Sequence, residues 1–237
     1  MESNAMRSSS TAVQEETARF MAGVYKWMTF GILLTGATSY YVSNDPGLVQ
    51  TITANPFVYW GLVIAQLGAV FFLSAMIQKI SALTATLVYL GYAFLTGLTL
   101  SVIFLIYTKE SIQQVFFLTS FSFAGLSLYG YITKKDLGPL GTFCHMGLWG
   151  LIGYQILAMF FPSMMGGSMN MVVSLIGVGI FAGLTAYDTQ KIKESNIIGN
   201  EGTEEDHKET IYGALTLYID FIGLFLHLLR LLGNRRD

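Results

Sequence analysis

Charge is what this chain has least of. Only 12% of its 237 residues are Asp, Glu, Lys or Arg, against about 25% in a soluble domain, while 53% are hydrophobic and the mean hydropathy is +0.54. That balance excludes an ordinary soluble domain. A net charge of −2 with no long basic block leaves no electrostatic footprint for nucleic acid. A single cysteine, Cys144, excludes an internal disulfide, and three scattered histidines (His145, His207, His227) make no zinc-spaced cluster. The opening MESNAMRSSSTAVQEETARF lacks the positive, apolar, small-residue order of a cleaved secretory signal. The first hydrophobic span is therefore expected to be retained.

What the chain has is length of apolar sequence. A bilayer core about 30 Å thick takes about 20 apolar helical residues, and seven such runs lie near 24–43, 57–77, 83–107, 112–132, 140–161, 171–193 and 210–232. The four prolines, Pro46, Pro56, Pro139 and Pro162, all fall between runs or at their edges, where no helical hydrogen bond is lost. Connections are short except Glu194 to Glu209. Ser3, Asn4 and Ala5 ahead of a second methionine read as an expression-tag remnant over 1–5. Residues 6–23 read as a mobile, polar cytoplasmic tail, 24–232 as one all-α polytopic membrane domain of seven transmembrane helices, and 233–237 as a short basic tail.

Lysine and arginine set the orientation, because positive loops stay cytoplasmic. With the N-terminus inside, Arg7, Arg19, Lys26, Lys79, Lys134, Lys135, Lys191, Lys193 and Lys208 collect on the cytoplasmic side. Lys109 stands opposite, and seven full spans also place Arg230, Arg235 and Arg236 outside. Gly147, Gly150 and Gly153, and Gly179 with Gly183, read as close-packing positions between helices. Tyr25, Trp27, Tyr40, Tyr41, Tyr59 and Trp60 read as interfacial aromatics.

Two of the fifteen acidic residues, Asp188 and Asp220, lie inside the last two runs, in LTAYDTQKI and LTLYIDFIGL. A lone carboxylate there is costly and usually functional. The two runs are antiparallel, and the midpoint between the aspartates is residue 204, in the polar connection. Equal path lengths back from the turn bring both side chains to similar depth. By helical rise Asp188 is about 25 Å from Met171 and Asp220 about 15 Å from Thr210. Should they meet, they form a carboxyl dyad that shares a proton and titrates as a pair. Such a dyad suits a proton-operated latch, a transient calcium site or an aspartyl-protease centre. Tyr187, Tyr218, His227 and Arg230 are supporting candidates beside it, and Gln66 and His145 are weaker candidates for lining a pore.

GLTAYDTQKI (183–192) followed by GALTLYIDFIGLFLHLLRLLGNRR (213–236) is similar to the closing signature of the Bax inhibitor-1 family, the transmembrane Bax inhibitor motif proteins. The block SAMIQKISALTATLVYLGYAFLTGLTLS (74–101) resembles its bacterial branch. The resemblance implies seven helices, six of them surrounding a central C-terminal one, in the bacterial inner membrane. It also implies a passive calcium leak gated by pH, with the aspartates matching Asp188 and Asp220 as proton sensor and cytoplasmic acidification promoting the leak. Some members carry an acid in the second span and a basic cluster at its end. This chain has Gln66 there, and only Gln78 and Lys79 at the end, so Lys79 is at most a weak latch. No cofactor and no enzymatic activity are implied; calcium is the expected permeant ion. A second reading, also from the family, is a regulator that binds a membrane protease or other partner through the amino-terminal tail. A third, an intramembrane aspartyl protease, expects Gly-x-Gly-Asp on the last helix. The chain reads Leu217, Tyr218, Ile219, Asp220 instead.

Overall fold

The computed structural model describes residues 2–161 and 167–236. Along the chain run α1 (Glu2–Ser43), α2 (Pro46–Ala54), α3 (Pro56–Met76), α4 (Ala82–Leu100), α5 (Ile103–Ile106), α6 (Lys109–Ile132), α7 (Gly138–Phe160), α8 (Gly167–Ser195) and α9 (Glu204–Leu232). Five stretches, Pro56–Met76, Ala82–Ile106, Lys109–Ile132, Met169–Ser195 and Glu204–Leu232, are long and apolar enough to cross a membrane. Large apolar side chains stand outward along them, Phe57 at 89% and Phe121 at 86% exposure. That surface suits hydrocarbon, because helices satisfy their backbone groups internally and need no water. The architecture is an all-helical, multi-pass membrane protein.

Helix starts follow local chemistry. Asp45 caps α2 by accepting from Gly47 N at 2.9 Å and Leu48 N at 3.2 Å, Asn55 caps α3 through Phe57 N, and Ser81 and Thr108 cap α4 and α6. Such side chains satisfy donors that have no partner within the helix. Pro46, Pro56 and Pro139 occupy first turns, where a missing N–H costs nothing; Pro162 lies outside the described residues.

Several expectations need correction. The stretch 6–23, expected to be a mobile polar tail, is helical as part of α1, with Phe20 and Met21 buried and Glu16 and Arg19 bonded to the connection between α8 and α9. The connection after the first run contains α2, whose Val49 and Ile52 pack with Val42, Leu62, Leu98 and Val102. Gly150, Gly153 and Gly179 meet no neighbour within 4 Å, since they face away from other helices. Gly147, against Ile180, and Gly183, against Cys144, do allow close approach.

The chain divides into two compact units. Unit 1 comprises Met1–Leu105 and Ile192–Tyr218; unit 2 comprises Ile106–Lys191 and Ile219–Asp237. In unit 1, α1 and α4 are tied by hydroxyl groups donating to carbonyls of the facing helix. Thr35 Oγ1 reaches Ala93 O at 2.8 Å, Ser39 Oγ reaches Gly97 O at 2.8 Å, and Tyr89 Oη reaches Trp27 O at 2.9 Å. The last bond exists because Gly31 presents no side chain where the Tyr89 hydroxyl enters. The α8–α9 connection is strapped to α1: Arg19 forks onto Glu201 at 2.7 and 2.9 Å, and Gly199 N donates to Glu16 at 2.6 Å. Gly199 and Gly202 turn the strap at φ +91° and +77°, values that L side chains rarely adopt.

In unit 2, Gln190 of α8 closes the connection before α7, accepting from Leu137 N at 2.9 Å and donating to Lys135 O at 2.8 Å. At the far end of α9 the chain turns back to pair with residues 106–111. Thr108 N donates to Asn234 O at 3.1 Å, Arg236 N to Ile106 O at 2.9 Å, and Asn234 N to Ser111 Oγ at 2.9 Å. The basic tail therefore lies at the same end of unit 2 as Lys109.

Two predictions follow from packing, both read by thermal unfolding in detergent. Gly31→Ala drives a methyl into Tyr89 and is expected to cost about 1–3 kcal/mol; Gly36→Ala, with nothing within 4 Å, is expected to gain up to about 1 kcal/mol from helix propensity. Equal effects at the two sites would refute the close approach. Asn234→Pro, at an exposed position, removes the donor to Ser111 and is expected to cost about 1 kcal/mol; a neutral result would show that the tail pairing contributes nothing.

Candidate functional site

Three close approaches in unit 2 place Asp188. On α6, Gly130 lies against the Ala186 carbonyl; on α7, Gly141 lies under the Tyr187 ring; Cys144 sits over Gly183. Thr189 adds a hydroxyl pair with Ser127 at 2.9 Å. So α8 is clasped on both sides of residue 188. Asp220, on α9, is held in an aromatic layer in which Phe221 meets Phe116 at 5.7 Å and Phe123 at 5.6 Å between ring centroids.

The two carboxyl groups meet. Asp188 and Asp220 are hydrogen-bonded to each other, Asp220 is 3% exposed, and its buried Oδ2 accepts from no N–H or hydroxyl group of the protein. Two carboxylates offer only acceptors, so the bond needs one proton between them. The proton belongs to the pair rather than to either residue. Among the described residues no three His, Cys, Asp or Glu side chains gather in one place; the pair stands as two carboxyl groups.

The other candidates are dispersed. Tyr187 packs on Gly141 and edge-on to His145 at 5.8 Å. His145 contacts Gly141 O through Nδ1 at 2.8 Å and lies near enough to Asp188 to act on its charge. The Tyr218 hydroxyl is taken by Thr35 at 2.6 Å, in unit 1; because Thr35 gives its only proton to Ala93 O, Tyr218 is the donor. His227 meets Phe181 in a tilted ring contact at 5.5 Å and presses on Gly177, with Nδ1 buried and unpartnered. Arg230, one turn later, is exposed. Lys79 is exposed in the turn after α3. Gln66 cross-links α3 and α4, reaching Leu62 O at 3.2 Å and Thr99 Oγ1 at 3.3 Å and accepting from Thr96 at 3.4 Å; its amide is committed to packing.

Sequence reasoning missed Cys144 and Gln190, near Asp188 on either side, and the contacts of Gly177 with His227 and of Gly223 with Phe181 further along the two helices. A signal existed for some. Gly183 and Gly223 stand five and three residues from Asp188 and Asp220. Unit 1 carries a separate polar cavity of about 210 Å³, lined by Glu16, Arg19, Lys26, Trp27, Asp206 and His207 among others.

Residues 17–237 match the family model described as inhibitor of apoptosis-promoting Bax1. The chain is 46% identical over 218 residues to the inner membrane protein YbhL of Escherichia coli, covering 92% of each chain. It is 41% identical over 219 residues to an uncharacterized protein of Borreliella burgdorferi, covering 92% of this chain and 93% of the other. It is 32% identical over 218 residues to an uncharacterized membrane protein of Streptococcus pyogenes, at 91% and 93% coverage. A match of this extent, on a helical membrane fold whose last two long helices bring their aspartates together, makes the chain a member of the Bax inhibitor-1 family.

Proposed function

We propose that the protein is a pH-sensitive calcium leak of the membrane in which Asp188 and Asp220 are the proton-sensing gate. The observation that carries this reading is the carboxyl contact itself, made between two long apolar helices by a pair that includes a residue 3% exposed. Buried acids in a membrane are expensive and tend to mark ion or proton routes. With one shared proton the pair joins α8 to α9. Loss of that proton leaves two like charges in contact, and full protonation leaves a bond no longer reinforced by charge. Either change weakens the tie and frees α9.

Seven crossings, with α1 and α7 added to the five most apolar stretches, complete the proposed path. The last helix is innermost, in keeping with its burial, the highest of the five. The N-terminus faces the cytoplasm, as the lysine and arginine bias requires, and acidification there opens the leak, in the direction that the family resemblance implies. Calcium passes as a hydrated ion that borrows carboxylate oxygens in transit, since a resident site would need six to eight oxygen ligands.

Calcium entry into dye-loaded proteoliposomes, measured against pH, tests the proposal. Wild-type flux is expected to rise severalfold on acidification. Asp188→Asn or Asp220→Asn leaves a hydrogen-bonding group that no longer titrates, so the pH profile is expected to flatten while the protein stays folded. Absent wild-type flux, or a profile untouched by both substitutions, would overturn the reading.

A further inference from the structure

The antiparallel register that brings Asp188 opposite Asp220 also brings Phe181 opposite His227, because each lies seven residues further along its helix in the matching direction. Seven residues are about two turns, so this second level sits about 10.5 Å beyond the dyad, on the same faces of α8 and α9. At that level each helix offers a glycine to the ring of the other. Gly177 lies under the His227 ring, Gly223 lies under the Phe181 ring, and the two rings meet tilted by 32° with centroids 5.5 Å apart. Among the described residues only three buried side-chain polar atoms have no hydrogen-bond partner in the protein, and two of them are Asp220 Oδ2 and His227 Nδ1. A buried polar atom without a protein partner is a place where water belongs. The Phe181 ring lies over Gly223, which stands between Asp220 and His227 along α9.

We propose that Phe181 is the hydrophobic plug of the leak route and that His227 is the polar station beyond it, where the ion's water shell is next received. This rests on the reading of the protein as a leak. The chemistry is that of a dewetting gate: an apolar ring stands on the way from one polar station to the next, and water, hence a hydrated cation, passes only when the ring moves aside. Phe181 is suited to move because its side chain makes no hydrogen bond that must first be broken. It packs on a glycine on one side and an imidazole on the other. Release of α9 from α8 at the dyad widens the gap in which the ring sits. The His227 imidazole offers one ring nitrogen to donate and the other to accept toward water; Arg230 follows one turn on along α9.

The test uses the full-length protein in the same calcium-flux vesicles. Phe181→Ala is expected to raise flux severalfold at neutral pH, where the wild type is closed, whereas Phe181→Met, of similar bulk, is expected to stay closed. A second variant keeps the question open should Phe181→Ala fail to fold. His227→Cys in a Cys144→Ala background is expected to be blocked by a small, charged, water-borne thiol reagent, and only under conditions that open the leak. Neutral-pH flux of folded Phe181→Ala equal to the wild type, or a His227→Cys protein that leaks but is indifferent to the reagent, would overturn the plug. Either result beside a wild-type leak whose pH profile still responds to Asp188→Asn would leave the leak reading standing, whereas a wild type without flux would remove both.

Discussion

In a hydrocarbon layer every polar group must find its partner inside the protein, and the placement of this protein's internal polar groups follows from that constraint. Thr35, Ser39 and Tyr89 aim hydroxyls at carbonyls of neighbouring helices; Gln190 closes a connection that would otherwise leave donors bare. The contact between Asp188 and Asp220 obeys the same constraint at higher cost, since each acid is the other's solvent. Apart from that contact, neither Asp220 Oδ2 nor His227 Nδ1 has a hydrogen-bond partner in the protein, and the two residues lie on one face of α9, alongside the proposed route.

Glycine is what lets these partners meet. Gly130, Gly141 and Gly183 bring α8 against α6 and α7, and Gly177 and Gly223 bring it against α9. In lipid, close backbone approach replaces the hydrophobic drive that water would supply. The acids therefore depend on positions without side chains as much as on their own. A methyl added at Gly130 would meet the Ala186 carbonyl, two residues from Asp188.

Much of the fold was legible in the amino-acid order because length and polarity alone decide what crosses a bilayer. The helices from α3 onward begin and end close to the apolar runs, and prolines 46, 56 and 139 mark starts. Less was legible where tertiary contact overrides composition. The polar opening of α1 runs on into Phe20 and Met21, which are buried, and meets the α8–α9 connection through Glu16 and Arg19, and α2 has a capped proline start and two buried apolar residues. At the site, the pairing of Asp188 with Asp220 could be read from equal distances to one turn. Which glycines matter could not, since Gly147 and Gly150 share a run and only the first faces a neighbour. Nor could the direction of the Tyr218 hydroxyl, which depends on a threonine 183 residues away.

The strand-like pairing of the tail with residues 106–111 makes the end of α9 a fulcrum. Asp220 lies twelve residues before Leu232, a lever arm of about 18 Å by helical rise. A tilt of about 10° about that fixed end swings its carboxyl by about 3 Å, roughly the span of one hydrogen bond. The Phe221 ring, one residue on, would slide by nearly the same distance against Phe116 and Phe123, so parting the two acids and shearing that aromatic layer are one motion.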